Sequence, residues 1–66
     1  MTNSKIRPFK GRMILLTYKN KGYTNKSTGI ITASTRFHII FDVNNCGIEI
    51  TLTYAQIINI QEVIKS

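Results

Sequence analysis

Two stretches of the chain alternate apolar and polar side chains with hardly an interruption. Phe37, Ile39, Phe41 and Val43 interleave with Arg36, His38, Ile40 and Asp42, and Ile48, Ile50, Leu52 and Tyr54 interleave with Glu49, Thr51 and Thr53. A period of two is the signature of a strand with one buried face, because successive side chains of a strand point to opposite sides. Between the stretches lies Asn44-Asn45-Cys46-Gly47, a turn composition in which Gly47 can take a positive φ. The buried set is odd-numbered before the turn and even-numbered after it. Directly opposed residues share a face, so their numbers must add to an odd sum. A four-residue turn over 44–47 gives 91, which sets Phe41 against Ile50, Ile39 against Leu52 and Phe37 against Tyr54. The same register opposes Asp42 and Glu49 on the outer face, a like-charge conflict that a basic neighbour would relieve. A sum of 93 avoids the conflict but requires a Cys-Gly turn, and 91 is preferred.

The rest of the chain reads the same way. Met13-Ile14-Leu15-Leu16-Thr17-Tyr18 is rich in β-formers and is followed by the turn-like Lys19-Asn20-Lys21-Gly22. Thr28–Ser34 forms a further strand, and Gly29 near its start suggests a bulge or sharp bend. The C-terminal segment admits two readings. Tyr54, Ile57 and Ile58 are spaced for a helix, and Thr53-x-x-Gln56 resembles a capping box. Yet Ile and Val crowd the segment and strong helix formers are few, so a 3-10 turn at Tyr54–Ile57 followed by a short strand, Ile58–Val63, is favoured. The expected fold is all-β: five strands in a small SH3-like or Sm-like barrel, with a short 3-10 turn before the last strand. Residues 1–10 form a basic N-terminal arm and 11–66 the barrel.

With 66 residues and one cysteine, Cys46, the chain has a small core and no disulfide to reinforce it. Packing or a partner surface must compensate. Met13 and Leu15 oppose Ile14 and Leu16, and Ile40 interrupts an otherwise polar face, so both faces of some strands are apolar. Either the segment Ile6–Phe9 covers them or a second subunit does, which makes a homo-oligomer an expectation. No segment has the ~20 apolar residues of a membrane span, and the polar, basic start does not read as a signal peptide. A cytoplasmic location without membrane association follows as the expectation. The frequent Ile, Lys and Asn also suit an AT-rich bacterial or phage genome.

Charge is distributed unevenly. Lys5, Arg7, Lys10, Arg12, Lys19, Lys21, Lys26 and Arg36 fall in the first 36 positions, and the three acids, Asp42, Glu49 and Glu62, all fall later. The halves carry +8 and −2, which together make the net +6. One positive face would attract polyanions. The segment Tyr18–Ser27 adds amides, hydroxyls and aromatics to its lysines, and reads as a loop in which Lys19, Lys21 and Lys26 neutralise phosphates while Tyr23 offers a stacking surface to an unpaired base. Lys10, Arg12 and Arg36 would extend that patch. The competing reading of the same residues is a flexible hairpin loop kept soluble by lysines, with Tyr18 continuing the core face of Ile14 and Leu16.

The order of segments resembles a known family. Ile14-x-Leu16-x-Tyr18, the polar loop, Gly29-Ile30-Ile31, the Phe37–Phe41 strand and Ile57-x-x-Ile60 are similar to the C-terminal portion of YolD-like proteins, small bacterial proteins that look Sm-like in this region and whose genes often accompany Y-family repair polymerases. The likeness covers roughly Arg12 to Val63, and this chain lacks the family's longer N-terminal portion. It implies a role accessory to DNA metabolism. Sm-type RNA rings carry an Arg-Gly loop before the last strand, where this chain has Thr53-Tyr54-Ala55-Gln56, so ring-type RNA binding is not implied.

Catalytic groups are scarce. One His, one Cys, one Asp and two Glu do not make paired carboxylates or a nucleophile–base–orienter set without sharing members. His38 and Asp42 share a face but lie roughly 13 Å apart along a strand. Cys46 and one distant imidazole are no zinc site, and the isolated glycines form no phosphate loop. The expectation is a non-enzyme without metal or cofactor that binds DNA or RNA. The alternative is a protein-interaction module or inhibitor that docks on an acidic partner.

Overall fold

The computed structural model describes residues 2–63. Five strands make one antiparallel sheet: β1 (Met13–Asn20), β2 (Tyr23–Ser34), β3 (His38–Val43), β4 (Ile48–Thr53) and β5 (Ile57–Glu62), in the order β4-β3-β2-β1-β5. Among the described residues no ladder joins β4 to β5, so the sheet is open, with these two strands at its edges. Ahead of it, α1 (Asn3–Ile6) runs into a 3-10 turn at Arg7–Phe9.

The core is the inner face of this sheet. Ile14, Leu16 and Tyr18 from β1, Ile31 from β2, Ile39 and Phe41 from β3, Leu52 from β4, and Ile57 and Ile60 from β5 form one buried cluster. Ile6 completes it: this residue of the N-terminal segment is fully buried, and Phe9 packs against the same cluster. The segment therefore serves the inner face, while Met13, Leu15 and Ile40 on the outer face stay half-buried. Burial of an Ile side chain contributes roughly 1.5–3 kcal/mol, a large share for so small a domain.

The β3–β4 register is the preferred one, with the odd sum that the alternation requires and the four-residue turn at 44–47. Ile39 opposes Leu52, Phe41 opposes Ile50 and Val43 opposes Ile48, a constant sum of 91. Asn44 and Asn45 sit at φ 58 and 53, and Gly47 at 87, left-handed positions that Asn and Gly tolerate best. The ladder stops one pair short of the expected Phe37–Tyr54 contact. Phe37 is 72% exposed rather than buried, because the Thr35 hydroxyl accepts the Phe37 and His38 amides and begins β3 at His38. Tyr54 enters a 3-10 turn instead (Tyr54–Gln56). The Asp42–Glu49 conflict is also resolved differently: Asp42 accepts from the Gly47 amide and Glu49 from the Thr32 hydroxyl, with no cation involved.

Gly29 marks close approach rather than the bulge itself. A Cβ there would lie 2.1 Å from the Asp42 carbonyl oxygen and 2.9 Å from the Phe41 ring, whereas the β2–β3 register shifts between Ile31 and Ala33. At the C-terminus the 3-10 turn and strand fall within a residue of the expected bounds. Gln56 Oε1 accepts from the Thr53 amide at 2.9 Å, the back-reaching half of a capping box.

Candidate functional site

The segment expected as a loop between the first two strands is mostly paired strand, closed by a tight hairpin turn. β1 and β2 stay paired to Asn20 and Tyr23, so the connection shrinks to Lys21-Gly22. Both residues have positive φ, 52 and 82, as a two-residue type I′ turn requires. This turn matches the twist of the flanking strands, and pairing therefore extends through residues too polar for a buried strand. β3 begins to pair with β2 only at Gly29, and β5 reaches no further along β1 than Tyr18. Residues 19–24 thus extend the two-stranded ribbon past both β3 and β5, and β2 as a whole contributes six positions, 23–28, without a partner in the β3 ladder.

Period-two alternation sorts the ribbon's side chains. Lys19 opposes Thr24 and Lys26 opposes Thr17, which places both lysines diagonally on the outer face. Tyr23 opposes Asn20, and Asn25 opposes Tyr18, on the other face. Lys21 occupies the tip. The lysines and Tyr23 are therefore neighbours in sequence but face opposite ways. Tyr18 is a core residue, 7% exposed, with its hydroxyl 3.4 Å from that of Ser27. Tyr23 is 75% exposed.

The other expected cations are spread wider. Lys10 and Arg12 lie at the far end of β1 from the tip, on the order of 25 Å from Lys21 along the strand. Arg12 is engaged there, donating to Glu62 at 3.0 Å in an exposed ion pair. Arg36 sits in the turn between β2 and β3, its guanidinium 5.8 Å from the centre of the Phe37 ring. That turn and the ribbon meet at one element, the 3-10 turn at Tyr54–Gln56. The Tyr54 hydroxyl donates to the Thr35 carbonyl, and Gln56 Nε2 donates to the Lys19 carbonyl at 3.1 Å.

Phe37 is the residue the alternation hid. Its place in the apolar set implied burial, and the one sequence signal against it was the neighbouring Ser34-Thr35-Arg36, a turn composition that ends the strand early.

Of the eight Lys and Arg residues among the described positions, Arg12 alone has a carboxylate within 4.0 Å; the other seven are exposed and unpaired with acid. No acid occurs between Met1 and Phe41. Asp42 and Glu49 lie side by side on the outer face of β3 and β4 and are bonded locally. Positive charge is thus concentrated on the ribbon, the N-terminal segment and the 35–37 turn. Among the described residues, no three His, Cys, Asp or Glu side chains gather as a metal site would need, no pocket forms, and no helix is long and apolar enough to cross a membrane. No family model, curated protein or solved structure matches the chain.

Proposed function

We propose that this chain is a small, non-catalytic nucleic-acid-binding domain whose β1–β2 ribbon and N-terminal segment contact phosphates. The observation that carries the reading is the row of exposed lysines on a ribbon that buries no apolar residue between Lys19 and Lys26. A hairpin that long, with no core of its own, is marginal in water, and its lysines repel one another. Lys21 adds strain, because it holds a left-handed φ of 52 that Asn or Gly would adopt more readily. A cation kept at such a position fits a polyanion ligand better than it fits stability.

The sheet belongs, on this proposal, to the small-barrel type. Its strand order, the β2 irregularity at Ile31/Ala33, the tight packing at Gly29 and the 3-10 turn leading into β5 are the devices by which a five-stranded sheet curls toward closure. A role accessory to DNA metabolism is consistent with such a module.

The test is a polarisation titration with labelled DNA and RNA at two salt concentrations. Engagement of about four phosphates gives a log–log salt slope near −3 to −4. Absence of binding at low salt overturns the proposal. A second reading has one observation in its favour: Ile48 and Ile58, 61% and 48% exposed, lie on the two edge strands, where a partner chain could add a strand. On that reading the chain docks on an acidic protein or on a second copy of itself, and capture from a lysate survives nuclease treatment.

A further inference from the structure

The β2–β3 turn presents its side chains from an unusually fixed backbone. Thr35 N donates to the His38 carbonyl at 2.8 Å, and the Thr35 hydroxyl accepts from the Phe37 and His38 amides at 3.2 and 3.1 Å. The Thr35 carbonyl accepts from the Tyr54 hydroxyl, which ties the turn to the 3-10 segment before β5. Every peptide polar group bonded this way removes freedom that a ligand would otherwise have to quench on binding.

What the turn presents is an aromatic ring 72% exposed, with the Arg36 guanidinium 5.8 Å from its centre. Burial of Phe37 would have continued the inner face of β3, and the Thr35 hydrogen bonds prevent it. Among the described residues, no carboxylate lies within salt-bridge distance of Arg36. A solvent-facing ring on a fixed backbone, with an unneutralised guanidinium over one face, matches one feature of a nucleotide with each group: the ring leaves its other face for a base, and the cation offers donors to the adjoining phosphate. A base in the interior of a duplex has both faces stacked already, so the ring favours unpaired bases over paired ones.

We infer that the Arg36–Phe37 turn is a base-stacking point and that the ligand of this domain is single-stranded nucleic acid. This rests on the nucleic-acid reading above and narrows it. Tyr54 and Gln56, two residues apart, hold the turn and the Lys19 end of the ribbon through their side chains. A strand stacked on Phe37 can therefore run on to the ribbon lysines within a few nucleotides, without crossing the body of the sheet.

The experiment compares 12-nucleotide single strands, DNA and RNA, with a 12-base-pair duplex at one fixed low salt concentration. The protein contains no Trp, so F37W introduces a unique fluorophore at the proposed stacking point. The expected results are quenching of that Trp by single strands but not by duplex, and a loss of roughly tenfold or more in single-strand affinity for F37A, with duplex affinity and the salt slope unchanged. K19Q/K26Q should instead weaken both ligands and make the salt slope shallower. If F37A binds single strands as the parent does and the F37W emission stays constant, the stacking inference fails while the nucleic-acid reading stands. If parent protein binds neither single strands nor duplex, both fail together. Preference for DNA over RNA, or the reverse, identifies which strand the site takes.

Discussion

The β3–β4 hairpin buries Ile39, Phe41 and Leu52, whereas the outer part of the β1–β2 hairpin, Lys19 to Lys26, buries no side chain. Both are antiparallel, both close through left-handed residues, and both keep a constant register across their described pairs. Their registers are nevertheless set by different agents. In β3–β4 a slip by one residue would turn Phe41 and Ile39 out to solvent, so the core enforces the pairing. In the ribbon a slip would exchange one polar face for another, and the Lys21-Gly22 turn is the principal local constraint. A hairpin fixed by its turn can be polar throughout, which frees its side chains for a ligand.

Truncation separates the two most sharply. Phe41 is fully buried, and Phe41→Ala should cost about 3–5 kcal/mol through lost burial and the cavity left behind, enough to unfold a domain of this size. Tyr23→Ala removes an equally large ring from the ribbon and should change stability by no more than about 0.5 kcal/mol. Urea titration followed by circular dichroism measures both. A large loss at Tyr23 would mean that the ribbon packs on something, and the contrast would collapse.

Glycines give the next largest difference. At Gly29, where the ribbon joins the body, an added Cβ would meet the Asp42 carbonyl at 2.1 Å, and backbone cannot give way cheaply. Gly29→Ala should therefore cost about 3 kcal/mol, the upper end for overpacking. Gly22 has open space around it but a φ of 82, so Gly22→Ala should cost about 1 kcal/mol. Hydrogen exchange distinguishes the two variants. Gly22→Ala should speed exchange in the ribbon alone, while Gly29→Ala should speed it throughout β2 and β3.

Lys21→Asn acts on the same turn in the opposite direction. Asn is at ease in the left-handed region, and the change should stabilise the protein by about 0.5 kcal/mol. It should also weaken nucleic-acid binding by removing a tip cation. An increase in stability with binding unchanged would free Lys21 from any functional role.

These contrasts also explain what was readable from the residues alone. Alternation restricts a register only where one face is apolar, which is why parity together with the four-residue turn at 44–47 leads to the pairing of Phe41 with Ile50 and of Ile39 with Leu52. The polar stretch after Tyr18 carries no such signal, and pairing there depends on two residues taking positive φ, which Lys21 does not announce. Phe37 failed for the complementary reason. Its spacing fits the buried set, but a single Thr35 hydroxyl capturing two amides outweighs the pattern. The cations were legible as a list and not as a surface: only the fold shows that Lys19 and Lys26 share a face that Tyr23 does not, and that Arg12 is paired with Glu62.

The smallest expected effect probes the one electrostatic conflict in the packed hairpin. Asp42 and Glu49 are directly opposed, an arrangement unfavourable by a few tenths of a kcal/mol or more. Each carboxylate has found a donor of its own: the Gly47 amide at 3.0 Å for Asp42, and the Thr32 hydroxyl at 3.2 Å for Glu49. Glu49→Gln keeps an acceptor for Thr32 and removes one charge, so it should stabilise by about 0.3 kcal/mol at low ionic strength, with the gain shrinking as salt is added. Asp42→Asn also removes the repulsion but weakens a charge-assisted bond to the amide that closes the turn at Gly47, so it should be neutral or destabilising. If both substitutions stabilise equally, repulsion outweighs the turn bond. If Glu49→Gln destabilises, the charged bond to Thr32 is worth more than the conflict it sits beside, and the outer face of this hairpin contributes to its register along with the core.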